Sequence, residues 1–352
     1  MIAFKDGLTI GGDSPIRVNC NIGCNKIEDI QSEISKIEFI QSCNELPDMM
    51  MDLSLIELEE PLYNYIKNNL GLPFGVVLSY HRFTKSKGYQ WEDIRDAFLQ
   101  LCYDGVSFVT IHFTADLDLF LRANQIRKIP VTSRGGGMVL YDSRINNRTQ
   151  NIFRENIDEI ANIALKHNVV ISLGTTFRPG TILDACDSVH IEETLRQLSI
   201  CRLLQSKGVK VMVENIGHIT LDKIATHSKL LSKFNAPIMP LGPLPTDAAI
   251  NEDHIANAIG ATFAAYIGCT HIINCVTRYE HSKSAITQDV TIEAIRAAKV
   301  AAHIADLSRN INEAILYDTS ITNNRVKEHC CFADSNNCTR CSTVCPLKLT
   351  CI

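Results

Sequence analysis

The last 23 residues hold six of the fourteen cysteines in the chain: Cys330, Cys331, Cys338, Cys341, Cys345 and Cys351. Cys338, Cys341 and Cys345 form C-x2-C-x3-C. Three thiolates on one short segment can hold three irons of a [4Fe-4S] cluster and leave the fourth iron open to another ligand. A structural zinc site competes with that reading. Zinc closes four ligands, commonly on two C-x2-C knuckles, and the tail has only one. His329, Cys330, Cys331 or Cys351 would have to complete the set. Disulfides are the third reading. The start, "MIAFKDGLTIGGDS", does not look like a signal peptide, and no run of about 18 apolar residues suggests a membrane span. A cytoplasmic protein is expected, where thiols stay reduced and clustered cysteines bind metal.

Other chemistry-bearing residues lie earlier. His218 follows "ENIG" and His281 follows "TRYE". Each comes just past a strand-like run. Two such imidazoles could bind one divalent metal and leave positions free for substrate. The plainer alternative is a pair of hydrogen-bonded loop histidines. His254 in "NEDH", at the head of a helical pattern, is a third candidate. In "SRGGGM", consecutive backbone N–H groups and Arg134 suit a phosphate, or the glycines serve a tight turn that needs positive φ. "RPG" at Arg178 carries the same ambiguity. Asn21 and Met51 carry no chemical signal by themselves.

These residues need elements to position them. Near-continuous apolar runs read as strands buried on both faces: "FGVVLS", "VSFVTIHF", "KIPVTS", "NVVISLG", "VKVMVEN", "APIMPLG" and "THIINCVT". Helical patterns lie between them. In "WEDIRDAFLQLCYDG", Ile94, Ala97, Phe98 and Leu101 recur at helical spacing and Gly105 supplies a stop. "RENIDEIANIALKHN", "VHIEETLRQLSICRLLQSKG" and "TQDVTIEAIRAAKVAAHIADLSR" repeat the pattern. Strand–helix alternation predicts a parallel α/β fold. Polar or glycine-rich groups follow almost every run: Tyr80, His112, Ser133 with Arg134 and Gly135, Arg178, Glu214, His281. Functional groups at many successive strand ends favour a (βα)8 TIM-type barrel over an open sheet, which concentrates its site at one switch point. The expected division is a barrel over 1–310 and a cysteine-rich tail over 311–352, where the pattern is polar and weakly periodic and order comes from bound metal. The composition, 45% hydrophobic and 21% charged, is that of a soluble globular protein. The net charge of −5 with no basic block argues against a nucleic-acid partner.

Together the stretches "NIG", "MDLS", "TIH", "SRGG", "SLG…RPG", "E…GH", "LGPL.TD", "DH…IGA", "VT..EH" and "AAH.ADL" resemble, in this order, the phosphomethylpyrimidine synthase (ThiC) family of radical S-adenosylmethionine (SAM) enzymes. The resemblance runs from about Asn19 to Arg309 and resumes in the tail. It implies a (βα)8 barrel with a cluster-bearing tail, and conversion of aminoimidazole ribotide to hydroxymethylpyrimidine phosphate for thiamine. Carried over by position, it implies substrate contacts at Asn21, Met51, Tyr80, His112, Arg178 and Glu214, with Glu214 and His112 as the catalytic candidates. It implies a phosphate loop at Ser133, Arg134 and Gly135. It assigns a mononuclear divalent metal, zinc or iron, to His218 and His281. It assigns a [4Fe-4S] cluster to Cys338, Cys341 and Cys345. SAM, a ribonucleotide substrate, a reductant for the cluster and a homodimer follow from the same resemblance; no membrane is involved.

The chain departs from the family pattern at several points. Thr175 replaces an aspartate and Met239 a tyrosine. "ENIGH" replaces "EGPGH", and the second cysteine spacing is one residue shorter. Losing a carboxylate and a phenol from one pocket suggests a changed ligand. Two alternatives follow: a paralogue making another heterocycle such as 5-hydroxybenzimidazole, and a non-catalytic zinc-tailed binding protein.

Overall fold

The apolar runs close into one parallel sheet. The computed structural model describes residues 1–282, 284–323 and 341–350. A small antiparallel ribbon, β1 (Ile2–Ala3) and β2 (Thr9–Ile10), comes first. Eight strands follow: β3 (Arg17–Ile22), β4 (Met49–Asp52), β5 (Phe74–Val77), β6 (Phe108–Ile111), β7 (Val170–Leu173), β8 (Val211–His218), β9 (Ile238–Leu244) and β10 (Ile272–Asn274). They pair in parallel in the order β10-β3-β4-β5-β6-β7-β8-β9. Prolines 240 and 243 give β9 no N–H at those positions. The seam between β9 and β10 is instead bridged by the His271 N–H to the Ile238 carbonyl (2.8 Å) and the Asn274 amide to the Pro240 carbonyl (2.8 Å). The result is the expected α/β barrel.

Side-chain alternation gives that barrel a graded interior. Its lower part is apolar: Met49, Phe108, Val170, Met212 and Ile272 form one buried cluster. Phe4 and Ile10 of the ribbon join that cluster, and Phe4 stacks on Phe108 with centroids 5.4 Å apart. Two residues further along each of four strands, the same face carries Thr110, Ser172, Glu214 and Asn274, all buried. Polar groups therefore concentrate at the C-terminal ends of the strands, where a barrel gathers its loops.

The helical expectations largely hold. Trp91–Asp104 buries Ile94, Ala97, Phe98 and Leu101, and Gly105 at φ 102° ends the helix with its N–H on the Leu101 carbonyl (3.1 Å). Two readings fail. "KIPVTS" is not a strand. Lys128 and Ile129 give their N–H groups to the Asp184 carboxylate (3.1 Å each) and Pro130 has none, so no ladder forms. β6 pairs directly with β7, and the two strands that complete the sheet are β3 and β4, whose Asn- and Met-rich sequences carry little β signal. The weakly periodic stretch after 310 includes a helix, Asn312–Asn323. The chain divides into compact units Met1–Ala305 and Asp306–Ile352. Among the described residues no helix is long and apolar enough to cross a membrane.

Behind β8 lies a polar cluster that sequence reading did not single out. The His190 and His227 rings stack 4.2 Å apart at 25°. Both Nε2 atoms face Asn215 Oδ1, at 3.4 and 3.0 Å, and His190 Nδ1 accepts the Cys186 N–H (3.2 Å). Cys186, His190 and His227 place potential metal donors within 4.8 Å of one another. As arranged they do not fit a metal, because near-parallel rings cannot both aim in-plane lone pairs at one ion, and the His190 nitrogens are already engaged. The network reads as a dry core contact between neutral imidazoles. Burial pushes His227 down to about 4. The unfolded chain protonates such a ring near about 6.5 and so binds more protons between these values. The contribution is therefore complete above about pH 6.5 and is lost as pH falls toward 4, by about 3 kcal/mol for His227. Urea unfolding midpoints measured from pH 7 down to pH 4.5 should fall, and His227→Gln should flatten that fall.

Candidate active site

The C-terminal ends of the strands surround a cavity of about 660 Å³, lined among others by Asn21, Arg134, Arg178, His218 and His281. Five of the residues singled out in the sequence thus share one space. Ser133, Gly135 and His112 lie just behind it, and Met51, Tyr80 and Glu214 reach the barrel interior.

The "SRGGGM" segment is neither a loop after a strand nor a positive-φ turn. It is the start of the helix Arg134–Ile145, with Ser133 as N-cap and its Oγ accepting the Gly136 N–H (3.0 Å). The glycines serve close approach. A Cβ on Gly135 would lie 2.5 Å from His112 Cε1 and 2.6 Å from Ser79 Oγ, and one on Gly136 2.5 Å from Thr176. The Ser133 hydroxyl, which accepts from Gly136, also pairs with His112 Nε2, 2.9 Å away. Among the described residues His112 Nδ1 has no partner, nor has Ser79 Oγ. Burial, reinforced by the Arg178 charge, pushes His112 down to about 3, so the ring is neutral. The exposed Arg134 reaches Asn25 Oδ1 (3.1 Å) and lies 5.8 Å from the Tyr80 ring centroid. A helix N-terminus flanked by a guanidinium is a ready anion seat.

Below it, Glu214 Oε1 accepts the Thr110 hydroxyl (2.8 Å). Burial raises this carboxyl, against the hydrogen bond from Thr110 and the Arg178 charge. Arg178 is anchored by its Nη1 on the Thr175 carbonyl (3.0 Å). Its loop is held from behind: buried Glu193 accepts the N–H groups of Thr176 (2.6 Å) and Phe177 (2.7 Å). The two departures from the family pattern now have places. The Thr175 hydroxyl donates to the Glu214 carbonyl (2.5 Å), which ties the loop to β8. Met239 lies opposite Glu214 in the β8–β9 register and packs with Met51 and Met212 in the barrel. Asn19 organises the opposite wall, giving its amide to Asn21 Oδ1 (2.8 Å) and Asn274 Oδ1 (2.6 Å).

His218 and His281 meet. Their Nε2 atoms are 3.1 Å apart and their rings cross at 77°. Each Nδ1 lies on a carboxylate, His218 on Asp247 (2.7 Å) and His281 on Asp253 (3.1 Å). A carboxylate accepts, so each Nδ1 carries the proton and each Nε2 turns a lone pair toward the other. Burial lowers His218 further, against the pull of Asp247. Two facing lone pairs call for a shared cation. Nitrogens about 2.0–2.1 Å from one tetrahedral zinc sit roughly 3.4 Å apart, close to the spacing here, so the pair fits a mononuclear metal. His254 does not join it. That ring lies 3.6 Å from Glu293, while its neighbour Asp253 does the orienting. Asp247 and Asp253 were inside quoted sequence motifs, yet nothing in the letters marked them as partners of the imidazoles.

In the second unit, Cys341 and Cys345 are half-buried and flank the turn Ser342–Val344, with the helix Pro346–Thr350 following. Cys338 lies outside the described residues, as do His329, Cys330, Cys331 and Cys351.

Comparison with known proteins gives this arrangement a lineage. A model of the radical SAM ThiC family matches residues 4–331. The chain belongs to the radical SAM ThiC family. Similar relatives include the phosphomethylpyrimidine synthase of Sulfurisphaera tokodaii, 35% identical over 86% of this chain and 72% of the relative. The Pyrobaculum aerophilum enzyme of the same name is 31% identical over 90% of this chain and 74% of its own. That of Carboxydothermus hydrogenoformans is 32% identical over 87% and 72%. Membership in ThiC implies an iron–sulfur cluster and SAM. Zinc or cobalt(II) titrated calorimetrically should bind this ThiC-family chain at a site lost in His218→Asn and weakened about 10- to 100-fold in Asp247→Asn. Unchanged binding in both variants would rule out the histidine pair as ligands.

Proposed function

We propose that the chain is a phosphomethylpyrimidine synthase, a radical SAM lyase that rearranges aminoimidazole ribotide to hydroxymethylpyrimidine phosphate. The observation that carries this reading is the pairing, around one cavity of a ThiC-family barrel, of an anion-ready helix N-terminus with a carboxylate-oriented histidine pair. Cys338, Cys341 and Cys345 would hold the [4Fe-4S] cluster, fed by a cellular reductant. When bound, cluster and SAM together supply a 5′-deoxyadenosyl radical. His218 and His281 would hold a zinc or iron ion that helps seat SAM.

The other roles follow from the side chains. Ser133, Arg134 and Gly135 grip the phosphate of the ribotide, and Arg178 adds positive charge deeper in. Asn21 donates or accepts at the cavity wall. Tyr80 and Met51 bound the floor, where Met239 makes the surface more apolar than a phenol would. Glu214, raised by burial and close to Arg178, can hold or release a proton at a bound ring or hydroxyl. Neutral His112 presents an unengaged Nδ1. A homodimer is part of the proposal. Ile255, Ile259 and Tyr266 on one helix and Val300 and Ile304 on its neighbour leave an exposed apolar face, which a second copy would cover.

Anaerobically reconstituted protein supplied with SAM, a reductant and aminoimidazole ribotide should form 5′-deoxyadenosine and hydroxymethylpyrimidine phosphate together. Arg134→Ala should raise KM for the ribotide about 10- to 100-fold, as expected for losing a charge-assisted phosphate contact. Accumulation of 5′-deoxyadenosine without the pyrimidine would overturn the substrate assignment, and 5-hydroxybenzimidazole would be sought in the same mixture. Stoichiometric zinc in the tail with no cleavage of SAM would overturn the enzyme reading.

A further inference from the structure

Ten cysteines fall among the described residues, and all ten are free thiols. Strand register brings two of them together. Asn19 stands opposite Asn274 in the β3–β10 ladder, and the Cys275 N–H donates to the Asn19 carbonyl at 2.8 Å. The next pair along the seam is therefore Cys20 and Cys275. Register partners on parallel strands leave the sheet on the same face. Adjacent strands lie about 4.8 Å apart, within the roughly 4.4–6.8 Å Cα separation that disulfides span. The two residues are thus cross-strand neighbours on one seam of the barrel. Both residues border the cavity that holds Asn21, Arg178, His218 and His281, with their thiols on the helix-facing side of the sheet, where Cys20 and Cys275 pack against buried apolar clusters. Cys275 is half-buried there, whereas Cys20 is only 2% exposed.

We propose that Cys20 and Cys275 are a redox modification site: a reversible cross-strand disulfide in the wall of the mouth cavity, formed by exchange with a low-molecular-weight disulfide. The more open Cys275 reacts first. Its thiol gives a proton to water, and the thiolate attacks one sulfur of the small disulfide. That S–S bond breaks, one small thiol leaves, and a mixed disulfide remains on Cys275. Cys20 then loses its proton, attacks the Cys275 sulfur and displaces the second small thiol. Two protein thiols are oxidised and one small disulfide is reduced to two thiols. Burial, with the neighbouring Cys20, raises the Cys275 thiol, so exchange is slow at neutral pH and quickens as pH rises. The bridge would pin the seam directly beside the Asn19–Asn21–Asn274 relay, which links the redox state of the wall to a ligand-facing side chain.

The test is peptide mapping of the full chain, kept anaerobic and treated with oxidised glutathione at about pH 8, where thiolates form. Remaining thiols are alkylated before digestion. The expected result is a peptide pair containing Cys20 and Cys275, joined at their summed mass less two hydrogens. Alkylation at both positions should be lost together and restored by dithiothreitol. In Cys275→Ser, Cys20 should stay alkylatable, at least about tenfold less oxidised than in the parent chain. Glutathione stopping on Cys275 with Cys20 still free, either thiol joining a different cysteine, or neither reacting would each overturn the proposal.

Discussion

A barrel of parallel strands sends every C-terminal strand end to the same mouth, and polar side chains arriving there are buried before any ligand binds. Burying an unpaired polar or charged group is costly, so the mouth must satisfy its own members. Glu214 does so through Thr110, the Arg178 loop through Glu193 and Arg127, and Asn21 through Asn19. The apolar plug below, with Phe4 stacked on Phe108, closes the opposite end. The site is thus a stiff polar ring on a dry base.

Against that background the few unsatisfied groups stand out. Among the described residues His112 Nδ1 and Ser79 Oγ are buried without partners, and the His218 and His281 Nε2 atoms face each other with no proton between them by the tautomers their carboxylates impose. Such groups persist only where the surrounding fold fixes them, and they mark places built for something that arrives later. The contrast with the His190–His227 stack is instructive. There too two imidazoles lie side by side, but their planes run nearly parallel and both point at one amide oxygen. Ring orientation separates a metal-ready pair from a core contact.

The substitutions at Thr175 and Met239 sit on this ring without leaving a hole. Thr175 spends its hydroxyl on the Glu214 carbonyl, and Met239 fills interior volume beside Met51. Both positions are fully buried and keep the interior packed.

The sequence alone determined the alternation of buried strands and amphipathic helices, and with it the barrel, because periodicity records which faces are dry. It also placed Arg178, Glu214 and His218 at or just past strand ends and His281 in the loop beyond one, since polar residues after apolar runs are local signals. It misplaced "KIPVTS", whose donors are taken by Asp184 from a distant loop, and it passed over β3 and β4, whose Asn19, Asn21, Met49 and Met51 face the barrel interior. Only the tertiary structure decided that His254 stays outside the His218–His281 pair, that Asp247 and Asp253 orient that pair, and that Cys20 lies beside Cys275. Each of these depends on residues far apart in the chain meeting across a closed sheet, and neither composition nor spacing encodes that meeting.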